Sequence, residues 1–237
     1  MRGVMGYVLV ALVLAAGCVG VTTARHDPRT ETKSVDLGSA EMIRAEVEMP
    51  AGTLEISSET ERLLDGQFTY TSEGLRPEVT YAETGFRGRL HVSVPSGTRN
   101  VSNSGENRWD VQLNGKVPMD LTVKLGAGQG ELKLAGLTLR SLDLDVGVGQ
   151  IDVDLTGRPW KRSCDISVSG GIGQLKVRVP RNVGVVAKAR GGIGDIDIRG
   201  LRREEGQWVN DAYGEAPVTI RLDVKGGIGQ IKISSEG

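Results

Sequence analysis

One short glycine pattern raises the first chemical question: GGIGQ at 170–174, GGIGD at 191–195 and GGIGQ again at 226–230. Glycines this dense either cradle phosphate with free backbone N–H groups or make a turn that other residues cannot make. A dinucleotide fingerprint runs from a strand into a helix. Here each cluster runs into alternating apolar and polar residues, the pattern of a strand, and phosphate cradling is excluded with it. A calcium-binding G-G-x-G-x-D repeat places its aspartate two positions after the third glycine. Those positions hold Leu175, Ile196 and Ile231, so no metal site and no cofactor is expected.

Other chemistry is equally thin. Asp143, Asp145, Asp152 and Asp154 form a local acidic run that a polysaccharide-cleaving enzyme could use, if acids and a base converged in a groove. Alternation alone already predicts polar residues there, so a solvated face is the simpler reading. The two histidines, His26 and His91, cannot complete a zinc site or a Ser-His-Asp set. Cys164 shares strand parity with Ile166 and Val168 and reads as a small buried hydrophobe. No catalytic residue is assigned; a carbohydrate-active β-helix enzyme is the rival reading.

What positions these residues is a repeat. The chain has 237 residues, 34 glycines and nine aromatics, so its core must be built from Val, Ile and Leu. Segments such as AEVEM, TLEIS, LTVKL, LDLDV, IDVDL, LKVRV and IKIS alternate with period two, and the fold class is all-β. Five G-x-G clusters sit between such strands: Gly126/Gly128, Gly147/Gly149, Gly171/Gly173, Gly192/Gly194 and Gly227/Gly229. The second glycines are 21, 24, 21 and 35 residues apart, the spacing of a single-stranded β-solenoid of about five glycine-turn coils.

Stacking in chain order would align Ala127, Val148, Ile172, Ile193 and Ile228 as an apolar ladder. Gln129, Gln150, Gln174, Asp195 and Gln230 would form an amide ladder beside it. Outward charges would mostly oppose acid to base, with Arg178 beside Arg199 as the exception. A solenoid closing on IKIS leaves an open C-terminal end, where self-association is an expectation.

The N-terminus reads MRGVMGYVLVALVLAAGC: one basic residue, a short apolar run, then small residues before Cys18. This predicts an export signal, and the small residues before the cysteine resemble a bacterial lipobox, which makes Cys18 the expected lipidation site and a membrane the expected partner, with an ordinary cleaved signal or an uncleaved anchor as the alternatives. The organisation is a signal peptide over 1–17, a polar tether over 18–38, a β-rich N-terminal region over 39–105 and the solenoid over 106–237. A net charge of −1 with interleaved signs predicts no nucleic-acid binding.

NRWDVQLNGKVPMDLTVKLGAGQGELKLAGLTLRSLDLDVGVGQIDVDL, the repeated GGIGQ and the late VNDAYGEAPVTIRLDVKGGIGQI are similar to the toast-rack family of bacterial envelope proteins. That family is related to LiaF-like C-terminal domains and to adhesin domains. The resemblance implies an exported or membrane-tethered β-solenoid with no established catalysis, working in envelope-stress sensing or adhesion. Its partner would be an envelope protein or a cell-wall glycan. The insertion LRREEGQWVNDAYGEAP over 201–217 stretches the last spacing, and its Trp208, Tyr213, Arg202 and Arg203 are the candidate partner contacts. The plainer alternative is that Trp208 and Tyr213 fold back over the core.

Overall fold

The structure, a computed structural model, describes residues 27–95, 105–157 and 159–236. Cys18 and the signal segment lie outside these. The described chain is all-β apart from one 3-10 turn at Glu73–Leu75. Five strands, β1 Arg29–Val35, β2 Met42–Thr60, β3 Leu64–Tyr70, β4 Glu78–Thr84 and β5 Arg87–Ser93, form the N-terminal part. Four follow: β6 Asn107–Asn114, β7 Met119–Lys133, β8 Leu139–Asp154 and β9 Cys164–Pro180. The last are β10 Gly184–Arg199, β11 Arg202–Glu204, β12 Gln207–Val209 and β13 Thr219–Glu236.

The long strands cannot be straight. β7 drawn out would span roughly 46 Å, yet β8 begins beside its start, with Met119 paired to Leu139. The six residues after Lys133 reach about 20 Å at most. Each long strand therefore folds back at its glycines into two walls. Leu121, Val123 and Leu125 of one wall and Leu132 and Leu134 of the other are all buried in the core between. Each contributes on the order of 1.5–3 kcal/mol of transfer free energy.

Parallel pairing carries the bend from rung to rung in one register: Gly52, Gly128, Gly149, Gly173, Gly229 and Gly194 lie above one another. Gly52 of β2 thus adds a corner to the five read from the sequence. All six have positive φ, between 131° and 152°. A Cβ on Gly173 would lie 1.8 Å from the Gly149 carbonyl oxygen, so backbone fills the space that a side chain needs.

Three expectations are corrected. The stacking order is β2-β7-β8-β9-β13-β10, not chain order: β13 inserts between β9 and β10 and leaves β10 at the end. Ser234 thereby separates Arg178 from Arg199, and Lys176 and Lys232 become neighbours instead. Folded structure does not begin near Ser39, because Arg29–Val35, assigned to the tether, pair antiparallel with β3 along their whole length. No sheet boundary falls at 105/106 either, since β2 pairs with β5, β6 and β7 at once.

Where the N-terminal part meets β6, two aromatics join the aliphatic core. Phe68 meets Trp109 edge to face, with centroids 5.6 Å apart. The Trp109 indole donates to Asn107 Oδ1 (2.9 Å), and Asn107 Nδ2 donates to the Ala51 carbonyl at the first corner. β1 is held by polar contacts instead. Glu31 accepts from Arg76 Nε (3.0 Å) and the Tyr70 hydroxyl (3.0 Å) and pairs with Lys33 (3.0 Å).

Two predictions follow from these contacts. Gly173→Ala should lower the unfolding free energy by roughly 3 kcal/mol or more, combining a forbidden φ with a backbone clash. Gly206→Ala, at φ 80° with open space around it, should lower it by only about 1 kcal/mol, so denaturant titration of the two variants separates clash from strain. The Arg76 hydrogen bond, against the opposing effect of partial burial, holds the Glu31 carboxyl at about 2. A depressed carboxyl stabilises the fold above its unfolded value and loses that contribution as pH falls from about 4.5 to about 2. Glu31→Gln should therefore be less stable than the wild type at neutral pH. The gap between them should close across that acid window in denaturant midpoints measured against pH.

Candidate interaction surface

The residue before the positive-φ glycine of each corner points outward. The apolar ladder exists, in the order Ala51, Ala127, Val148, Ile172, Ile228, Ile193. It faces solvent: Val148, Ile172 and Ile228 are 50–53% exposed and Ile193 71%. In the amide ladder beside it, Gln174 Nε2 donates to Gln230 Oε1 (2.8 Å).

At the β10 end the core itself is open. Ile196 occupies the same inward position as Ile231 and Leu175, which are 4% and 5% exposed, yet it is 44% exposed because no further rung covers it. β12 pairs with β10 only at Val186 and Ala187, on the first wall, and β11 pairs with β12. The expected open end on the final strand is thus displaced. β13 has a neighbour on each side, and the free edge is the second wall of β10, with Asp195, Asp197 and Arg199 on it.

The 201–217 insertion forms this one-sided cap. Trp208 is half-buried against the core opposite Ala187, with the Arg203 guanidinium 6.0 Å from its ring centre. Arg202 is held inside the insertion by Glu204 (3.1 Å) and Asp211 (3.3 Å). Tyr213 stays exposed. Of the four candidate contacts, Trp208 works as a lid, while Arg202, Arg203 and Tyr213 are exposed.

Asn210, which the sequence reading passed over, pins the insertion. Its Nδ2 donates to the carbonyl of Val183 (2.7 Å), with longer contacts to Pro180 and Arg181, and its Oδ1 accepts from the Val185 N–H (2.9 Å). An asparagine next to a turn reads as a turn residue, and nothing in the sequence signals that its amide is buried.

The acidic run is split by the corner. Asp143 and Asp145 lie on the first wall of β8 and Asp152 and Asp154 on the second. Asp152 pairs with Lys176 (3.1 Å) and Arg178 (3.0 Å), and Asp154 with Arg178 (3.1 Å). Burial works to raise Asp154, but bonds from Thr156 and the Arg178 charge hold it below the usual range, the opposite of what a general acid needs. Parallel register also builds an acidic row from four rungs: Asp110, Glu55, Glu131 and Asp152. Burial, then the Glu55 charge, raises the Asp110 carboxyl. Glu55 pairs with Arg108 and Glu131 with Lys133. Cys164 is fully buried, and burial pushes its thiol up to about 12, a packed and unreactive state. Among the described residues no three His, Cys, Asp or Glu side chains gather as metal ligands.

Comparison with known proteins places the fold. The model for the N-terminal domain of toast_rack matches residues 24–178, and that for the LiaF C-terminal domain, described as cell wall-active antibiotics response, matches residues 128–233. A candidate cell adhesion protein from Clostridium sporogenes ATCC 15579 superposes with a TM-score of 0.80 at 31% identity, covering 89% of this chain and 100% of that one. A candidate adhesin from Bacteroides fragilis NCTC 9343 is 14% identical over 87% of this chain and 97% of its own, with a TM-score of 0.29. No curated protein matches. With one family model spanning most of the chain and a structural match at 31% identity over 89% of it, the chain belongs to the toast-rack family.

Proposed function

We propose that this protein is a non-enzymatic adhesion module of the bacterial cell envelope, held at a membrane through acylation of Cys18. The observation that carries this reading is the similarity, over 89% of this chain, to a candidate cell adhesion protein. The similarity to the LiaF C-terminal domain supports the envelope setting. Among the described residues no helix is long and apolar enough to cross a membrane, so the proposed anchor rests on the N-terminal sequence. The surface offered to an envelope protein or cell-wall glycan is the β10 end with Tyr213, Arg203 and the rim of the 201–217 cap.

A second reading, a carbohydrate-active enzyme, draws on Asp110, a carboxyl raised by burial and by Glu55 as a general acid would be. Against it, the neighbouring acids are engaged by Arg108, Lys133, Lys176 and Arg178 on an outward sheet face.

One experiment separates the two. Purified protein incubated with isolated cell walls should be retained without releasing new reducing sugar ends. Tyr213→Ala should weaken retention about tenfold, and Asp110→Asn should leave it unchanged. Reducing ends that disappear with Asp110→Asn would establish the enzyme instead. Anchoring is read separately: metabolic labelling with radioactive palmitate should mark the wild type, and Cys18→Ser should lose the label and leave the membrane fraction.

A further inference from the structure

From β7 onward the corner places glycine on both sides of the outward residue, where a Cβ would strike the neighbouring backbone, but it demands nothing of that residue itself. Its side chain points to solvent, and threonine would satisfy the same strand preference while staying wetted. Yet the row reads Ala51, Ala127, Val148, Ile172, Ile228, Ile193, growing toward the β10 end. Four branched aliphatic side chains stand half-exposed or more, one above another about 4.8 Å apart, on a backbone stripped of side chains on either side. They form a convex apolar ridge.

The register fixes where the N-terminal segment meets this ridge. Arg29, the first residue of β1, pairs with Tyr70, and Tyr70 pairs with Asn107. Asn107 touches the first corner, its Nδ2 donating to the Ala51 carbonyl (2.5 Å). The segment that carries Cys18 therefore enters the fold on the edge along which the ridge runs. From β1 to β10 is eight strand spacings, about 38 Å, comparable to the reach of the eleven residues 18–28 fully extended.

Size and shape select the occupant. A few half-exposed aliphatics amount to a few hundred Å², well short of the roughly 800 Å² each partner contributes to a standard protein interface. A convex ridge would also need a matching groove on a second copy, whereas a bilayer surface needs none. Lys225 and Arg190 flank the ridge on one wall, and Gln174, Gln230 and Asp195 on the other, groups suited to headgroup level.

We infer that the ridge of Val148, Ile172, Ile228 and Ile193 docks on the lipid surface to which the N-terminal segment is anchored. The inference rests on the anchored reading of the proposed function. Docking would hold the stack with its corner edge against the bilayer and its β10 end free.

The test uses the mature chain purified from bacterial membranes and reconstituted in vesicles of phosphatidylethanolamine and phosphatidylglycerol. Ile228→Cys carries an environment-sensitive NBD label, with Lys161→Cys, on the exposed connection between β8 and β9, as its counterpart; the buried Cys164 stays unlabelled. The label at 228 should shift to the blue and be quenched severalfold by spin-labelled lipids, while that at 161 stays in water. A chain that floats with the vesicles while its 228 label stays in water overturns the ridge contact and leaves the anchor standing. Failure to float at all overturns both. A shielded label on a chain that proves unacylated overturns the anchor alone. Shielding that lipid quenchers cannot reach, accompanied by doubled mass, overturns the inference in favour of a second copy.

Discussion

The structure depends on one steric fact: at each corner, the space that a side chain would occupy is filled by the corner carbonyl of the neighbouring rung. Gly128 sits against Gly52, Gly149 against Gly128, Gly173 against Gly149 and Gly229 against Gly173. A rung can bend sharply only if its neighbour bends at the same height. The glycine column is thus a cooperative feature, and it sets the rest of the geometry. It fixes the distance between the walls, which aliphatic side chains fill without aromatics through most of the stack. It also turns the residue between the glycines outward, which is why that row of isoleucines is wet.

Much of this was legible in the sequence, because period-two alternation and a Gly whose φ must be positive both leave local marks. The rung-to-rung alignment of the corner residues emerges as the spacing implies, with one amide pair, Gln174 and Gln230, hydrogen-bonded. The stacking order does not. β9 and β13 carry the same GGIGQ corner and β10 differs from them by a single residue, so any order buries equivalent side chains. Exposed charge pairs, worth a few tenths to about 1 kcal/mol each, are too weak to settle it alone. Inserting β13 separates Arg178 from Arg199 but brings Lys176 beside Lys232. What distinguishes the real order is the 35-residue last spacing, which gives the chain length to return over β10 and inside it. Asn210 then fixes the return path with bonds to Val183 and Val185.

β1 escaped the sequence reading for a different reason. TETKSV has no apolar alternation until Val35, and a hydrophobic pattern is blind to a strand held by Glu31, Lys33, Arg76 and Tyr70. An edge strand built from polar side chains suits its place, since it presents no apolar template for unwanted pairing. Asn107 escaped similarly: a buried amide serving Trp109 and Ala51 looks, in sequence, like an ordinary loop asparagine.

A repeating stack must also be told where to stop, and the β10 end shows how. The first wall is stopped by the β11–β12 hairpin. The second wall has no such cover, and its edge carries Asp195, Asp197 and Arg199 where a further rung would pair. Charges on a free edge disfavour growth by another strand. The amide row ends in the same place and with a direction: Gln174 donates to Gln230, and the next position is Asp195. A carboxylate accepts but cannot donate, so Asp195 cannot repeat on the free side of β10 the donation that Gln174 makes to Gln230. The one departure from glutamine among the full GGIG corners thus falls on the strand that folding places last in the stack, although it is only the penultimate repeat in the chain.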